Sequence, residues 1–422
     1  MKKLFLFFFA LMTLSMVSCH EKEEPEIQKE WPESDHTLLI YMIGDNSLSE
    51  YCEINAKACI NGLLGTETPV NLIIYEDGKS TNLQPEHRGK PALYRLKRNY
   101  DNKQKVDTIM IRQFDEDLDS TNPEIMQSII NEAFNAFPAS IKGLELWSHG
   151  LGWAPSPNYR ATRNAEGATR ASQYFGQDDS NYLEIWNLRK ALEKTPHLDY
   201  IIFDACNMGQ AEVAYELRNV VDYMLACPTE IMAQGLPYAD LILRLSFCYD
   251  KQTLLFSLYS YVDEFAFYYP GKIRDRFDTY VDGGTIALSD LTQVTELHHA
   301  YKALLSVCEE RRQLLEEHPY TYLDKIQPFG RSVASSEFYF YDLMSYADFL
   351  VNDNPSECPE YAKLKEALKK TIMKEYHSEH VLNFKTMNSC GLGIGIPEIF
   401  GKTATNKNTL LSAYNELQWA KD

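Results

Sequence analysis

The sequence lacks any C-x-x-C pair, so neither a zinc ribbon nor a dithiol redox motif has support. Nine cysteines in 422 residues are too sparse for a disulfide scaffold. Their odd number leaves at least one unpaired if the chain is exported. Basic residues are short: 41 Lys and Arg stand against 60 Asp and Glu, a net charge of −19. Such a surface repels a phosphate backbone and excludes general nucleic-acid binding. Internal repeats are missing, as is low-complexity sequence beyond one short acidic stretch. After residue 17 no apolar run reaches the ~20 residues that cross a bilayer. What is present is ordinary globular material, 45% hydrophobic, 12% aromatic and 24% charged, enough for a sizeable core. A domain prior of about 150 residues allows up to three domains, although large α/β folds pass it as one unit.

The first residues have their own pattern. Lys2 and Lys3 precede an apolar stretch, Leu4–Val17, that reads as a signal peptide over residues 1–18. It ends in Met16-Val17-Ser18-Cys19, which resembles a bacterial lipobox, with Cys19 as the lipidated first residue of the mature protein. His20-Glu21-Lys22-Glu23-Glu24-Pro25-Glu26 then opens an acidic tether over residues 19–35. A similar acidic stretch marks surface-exposed lipoproteins of some Gram-negative bacteria. The expected location is the cell envelope, lipid-anchored in the outer membrane and facing outward. A plain secreted protein with an incidental Cys19 is the alternative.

From residue 36 the pattern alternates. Thr37–Ile43, Val70–Tyr75, Thr108–Ile111, Leu144–Trp147, Tyr200–Phe203 and Val221–Ala226 are short apolar runs that read as buried strands. Helices are expected after Asn122-Pro123 to about Phe137, over Leu183–Lys194 and over Glu212–Arg218. Strands alternating with helices indicate a mostly parallel sheet flanked by helices, in a catalytic domain spanning 36–250. Residues 154–180 read as a loop. Residues 251–422 read as mainly helical, over Thr253–Phe267, Leu291–Glu317 and Tyr361–Lys374, with one apolar strand at Gly391–Pro397 that completes the fold.

Ligands of such sheets bind beyond the carboxyl ends of the strands. That rule selects Ser148-His149-Gly150 and Asp204-Ala205-Cys206. Amide hydrolysis by covalent catalysis needs a nucleophile, a proton carrier and donors for the oxyanion. Cys206, expected just ahead of a helix N-terminus that would lower its pKa, is the candidate nucleophile. His149 is the candidate proton carrier, and the N–H groups of Gly150 and Cys206 are candidate oxyanion donors. A structural cysteine and a structural histidine fit the same residues.

Leu144-Glu-Leu-Trp-Ser-His-Gly-Leu-Gly-Trp153 and Ile201-Ile-Phe-Asp-Ala-Cys-Asn-Met-Gly209 resemble the clostripain family of cysteine peptidases, which has a caspase-like fold. Tyr41–Leu48, Gln234–Tyr238 and Gly391–Pro397 support the match, which spans roughly residues 36–400. The resemblance implies an endopeptidase with His149 as general acid/base, Cys206 as nucleophile and Asp204 at the floor of the S1 pocket. A carboxylate in a narrow slot favours a guanidinium or ammonium, so cleavage after Arg, and also Lys, is implied. Asp204 as a helix cap is the plain alternative. Glu230 and Asp240 are candidates for a second pocket acid. The resemblance also implies self-cleavage between the His and Cys strands, for which Arg160, Arg163 and Arg170 are the candidate sites. Clostripain resembles a calcium-dependent enzyme, and Gln177-Asp178-Asp179-Ser180 offers oxygen ligands, but the dyad itself requires no cofactor.

Two rivals remain at this level. His149-Gly150-Leu151-Gly152 resembles a lipase oxyanion segment, but Gly330-Arg-Ser-Val-Ala334 lacks the last glycine of the required elbow. The other rival is a non-catalytic surface lipoprotein that uses a caspase-like scaffold for binding.

Overall fold

The computed structural model describes residues 34–422 except 68–69, 79–89, 100, 116, 155–173, 274–280, 330–339, 353–354, 383, 387 and 401–406. Cys19, Arg160, Arg163 and Arg170 lie outside the described residues. Residues from Pro32 onward form one compact unit.

The first half lays down nine strands and six helices. In order they are β1 (His36–Gly44), α1 (Ser49–Leu64), β2 (Asn71–Gly78), β3 (Ala92–Arg98), β4 (Val106–Gln113), α2 (Pro123–Ala136), β5 (Ile141–Trp147), β6 (Phe175–Asp178), β7 (Asn181–Leu183), α3 (Ile185–Leu192), β8 (Leu198–Asp204), α4 (Ala211–Leu217), β9 (Val221–Ala226), α5 (Tyr238–Leu245) and α6 (Lys251–Tyr268). Local chemistry explains several boundaries. The Asn122 side chain accepts from the N–H groups of Glu124 and Ile125, and Pro123 follows in the first turn, which fixes the start of α2. Asp250 and Thr253 form a reciprocal capping box at the start of α6.

Strands β2, β1, β5, β8 and β9 pair in parallel, in that spatial order. At one side β3 and β4 continue the sheet antiparallel. At the other, Thr285–Asp290 and Ile372–His377 do the same, completing nine strands. The parallel centre is thus bracketed by antiparallel edges. Alternate residues of β1 explain why its apolar run is continuous. Leu38, Ile40 and Met42 join Cys52 and Cys59 of α1, Leu241 and Ile242 of α5, and Leu258 and Val262 of α6 in one core. Leu39, Tyr41 and Ile43, also buried, alternate with them along the strand.

The structure departs from the sequence pattern in several places. The helix expected to run through Lys374 ends at Thr371, and Ile372–His377 is an edge strand. The run Leu291–Glu317 breaks at Cys308 into two helices. Gly391–Pro397 makes only a two-residue pairing, Gly393–Ile394 with Tyr341–Asp342. Thr285–Asp290 and β3 had no reading as strands. The end of the segment read as loop, residues 175–180, enters the β6–β7 hairpin, and Leu183, read as the start of a helix, closes that hairpin ahead of α3. No helix among the described residues is long and apolar enough to cross a membrane.

Candidate active site

The parallel strands take the order β2-β1-β5-β8-β9, so chain direction across the sheet reverses between β1 and β5. A crevice opens at the carboxyl ends of strands at such a switch point. The segment after β1, Asp45–Leu48, and the segment after β5, Ser148–Gly150, meet there. The Asn46 side chain donates to the carbonyls of Ile43 and Gln177, at 2.9 and 2.7 Å. Ser148 Oγ donates to the Ile43 carbonyl and accepts from the Gln177 N–H. These bonds tie β1, β5 and β6 into one rim.

His149 emerges from that rim half-buried, and its Nε2 lies 2.8 Å from Ser47 Oγ. Burial lowers its pKa from the ordinary histidine value, favouring neutral imidazole. Ser47 was not singled out in the sequence. Its only signal was its place in the turn that follows β1.

The next strand brings the cysteine to the same level. Trp147 and Asp204 are register partners on β5 and β8. His149 and Cys206 each lie two residues beyond that pair, and the Ser148 N–H still donates to the Asp204 carbonyl. Gly150 packs against the backbone of this turn. A Cβ on Gly150 would stand 2.9 Å from both the Cys206 carbonyl oxygen and Ala205 Cβ. Among the described residues the N–H groups of Gly150 and Cys206 have no backbone acceptor.

Cys206 does not sit directly ahead of a helix as expected. Helix α4 begins at Ala211 behind Gln210, and Asn207 takes a left-handed conformation in the intervening turn. The turn is clamped to the segment after β9: Asn207 N–H donates to the Thr229 carbonyl, and Gly209 N–H to that of Cys227. The Ile231 N–H approaches Cys206 Sγ at 3.5 Å. Burial, with Glu230 nearby, pushes the thiol up to about 12, the reverse of the expected depression. The resting site therefore holds a neutral thiol and a neutral imidazole.

Asp204 lies beneath this rim, 4% exposed. It caps no helix. Its Oδ2 accepts from the Leu236 N–H at 3.1 Å and from the Tyr238 hydroxyl at 2.8 Å. Both donors come from the 234–238 segment, which leads into α5. Gly235 there has φ +73°, and a Cβ would lie 2.3 Å from Asp204 Oδ2, so only glycine allows this close cover. Burial raises Asp204 to about 6. Of the candidate second acids, Glu230 lies near Cys206, while Asp240 is influenced by Glu264 and Arg244 on the helical layer. The carboxyl beside Asp204 is a different one, Glu145 of β5, which the Tyr238 hydroxyl also contacts at 2.8 Å. An acid inside the apolar run Leu144-Glu-Leu-Trp147 was the signal for it.

Of the calcium candidates, the Asp178 carboxylate is committed to local structure. Asp178 is buried and accepts from the Ser120 N–H, and the Asp179 N–H donates to the Asp45 carbonyl. Among the described residues no group of three or more His, Cys, Asp or Glu is arranged to hold a metal ion.

A mixed α/β sheet with thiol and imidazole on adjacent strand ends defines the class: a cysteine peptidase of caspase-like fold. The family is narrower. The clostripain family matches residues 40–422, and the chain belongs to it. The structure is similar to that of an inactive zymogen C11 protease from Parabacteroides distasonis (25% identity, TM-score 0.69, covering 93% of this chain and 98% of that one). It is also similar to a secreted C11 cysteine protease from Bacteroides thetaiotaomicron in complex with an irreversible peptide inhibitor (23% identity, TM-score 0.68, 92% and 98%). A further structure of a secreted C11 cysteine protease from that organism, "iotapain", aligns at 21% identity with a TM-score of 0.70 over 92% and 99%. Comparison with curated proteins finds no match. The chain is accordingly a clostripain-like cysteine peptidase acting on peptide substrates.

Proposed function

We propose that this peptidase is an endopeptidase that cleaves after Arg, and also Lys, through a Cys206–His149 dyad. The observation that carries the reading is the shared register: both side chains stand two residues beyond the Trp147–Asp204 pair, with an acid directly below. In the reaction, Cys206 Sγ attacks the scissile carbonyl as its proton passes to neutral His149. The Gly150 and Cys206 N–H groups receive the oxyanion of the tetrahedral intermediate. His149 then gives the proton to the leaving amine, and water releases the acyl group from sulfur by the reverse sequence. Ser47 holds the imidazole by one nitrogen, and Asp204 supplies the charge for a cationic P1 side chain. In this reading the 234–238 cover must yield for that side chain to enter.

The same reading includes activation by a cut at Arg160, Arg163 or Arg170, in keeping with the zymogen form reported for the Parabacteroides relative. It also includes lipid anchoring through Cys19 at the outer membrane. Calcium enters only as a dependence to be titrated against a chelator. The test is hydrolysis of matched fluorogenic peptides with Arg, Lys or Asp at P1 by wild type and Cys206→Ala. Turnover confined to Arg and Lys and lost in the variant supports the reading. Turnover that survives Cys206→Ala overturns it. Mass analysis of the N-terminal peptide from native membranes tests the anchor, which requires a diacylglycerol-modified Cys19.

A further inference from the structure

Beneath the rim, two carboxyl groups share one hydroxyl. Tyr238, the first residue of α5, has its Oη 2.8 Å from Glu145 Oε1 and 2.8 Å from Asp204 Oδ2. A phenol carries a single proton and donates one hydrogen bond. Two contacts of this length therefore need a second proton, and it must come from a carboxylic acid. Asp204 Oδ2 also accepts from the Leu236 N–H, which suits the ionised partner. Glu145 has no exposed surface, and its Oε2 has no hydrogen-bond partner. An ionised carboxylate so placed would be far costlier than a neutral acid. Among the described residues the surroundings supply no counter-charge. Facing the pair are Cys59 of α1, Tyr261 of α6, Cys227 after β9, and Cys206. Among the described residues no Lys, Arg or His acts on either carboxyl.

We propose that Glu145 is a specificity-determining positioning residue: as a neutral acid it donates to the Tyr238 hydroxyl, which donates to Asp204, so that one negative charge resides on Asp204 alone. The proton count is conserved, one on Glu145 and one on Tyr238, and no group is transferred. Burial raises Glu145 well above the usual carboxylate range, the neighbouring Asp204 adding to it. The arrangement offers a cationic P1 side chain one charge at a fixed place instead of two diffuse ones. It deepens, and rests on, the reading of Asp204 as the S1 acid.

Two readouts test it. The infrared difference between wild type and Glu145→Gln at pH 7 should show loss of a protonated carboxylic acid band; loss of carboxylate bands would overturn the proposal. The second readout is the acid limb of kcat/KM with an Arg substrate. Tyr238→Phe should move that limb upward by about one pH unit, a tenfold change in ionised fraction on its acid side. Glu145→Gln, whose amide is a weaker donor to the same hydroxyl, should move it the same way by less. A downward shift in Glu145→Gln would mean that a second negative charge had been removed, and would overturn the proposal. Asp204→Asn separates the two claims. Unchanged P1 selectivity in that variant sinks the S1 reading, while the infrared result still decides the protonation of Glu145.

Discussion

Asp204 ends β8 and Cys206 follows it by two residues, yet the two inhabit different chemistry. The rim carrying Cys206 and His149 is half-exposed, and each side chain there has few polar contacts, Ser47 for the imidazole and Ile231 for the sulfur. The layer below, Glu145 with Asp204, is buried and locked by Tyr238 and Leu236. On the proposed dyad and S1 roles, the difference teaches that this site divides its labour by depth. Groups that must move a proton and form a bond sit where few contacts restrain them. The groups that set charge sit where packing fixes them.

If that division holds, substitutions in the rim should remove chemistry without cost to folding. Cys206→Ala should lower kcat/KM by about 10⁴-fold or more, with an unchanged thermal midpoint; a large fall in the midpoint would merge the two regions. His149→Ala should cost about 10³-fold, within the usual range for a general acid/base. Asp204→Asn, in the lower layer, should cost about 10²-fold against Arg substrates and also disturb stability, because a buried, hydrogen-bonded carboxylate is being replaced. Ser47→Ala should be the mildest, about 3- to 10-fold in kcat with KM held, the scale of one orienting hydrogen bond. A Ser47 effect as large as that of His149 would mean that the rim is not sparsely held after all.

The buried acids also set a pH signature for stability. The histidines with lowered values, His36, His149 and His298, are neutral in the folded chain above pH 6.5, and the unfolded chain sheds its remaining imidazole protons over about the next pH unit. Asp178 is raised to about 7 and Glu212 to about 8, chiefly by burial, and Asp77 and Glu145 are raised well above the usual range. Between pH 6.5 and 8.5 the folded chain thus holds protons that the unfolded chain has lost. Unfolding free energy must fall as pH rises through that window. Calorimetry should show a falling midpoint, with a shallower slope in Asp178→Asn; a rising midpoint would contradict it.

Much of this was legible in the sequence, for reasons that can be named. Strands β1 and β8 are buried on both faces, so the runs Leu38–Ile43 and Tyr200–Phe203 are continuously apolar and end at turn residues, and the mostly buried β5 and β9 carry shorter apolar runs. His149 and Cys206 follow such ends directly. The edge strands were harder. Val106–Gln113 is half-buried along its length, and Ala92–Arg98 alternates apolar residues with Arg95 and Lys97. Ile372-Met-Lys-Glu-Tyr-His377 follows a helix without a glycine or proline to mark the change, so helical periodicity carries through it. The state of Cys206 was illegible because it depends on Ile231 and Glu230, 24 or more residues further along the chain. Glu145 was visible as an acid inside a buried strand, but its partner Tyr238 is 93 positions away, and only the fold brings the two together.

The most direct test of the account uses a peptide ending in Arg and bearing an irreversible thiol-reactive electrophile. The enzyme is labelled, digested and read by mass spectrometry. Modification confined to Cys206, abolished in His149→Ala and outcompeted by an Arg-containing substrate, is the expected result. Modification of another cysteine in its place, or labelling that ignores the Arg, would contradict it.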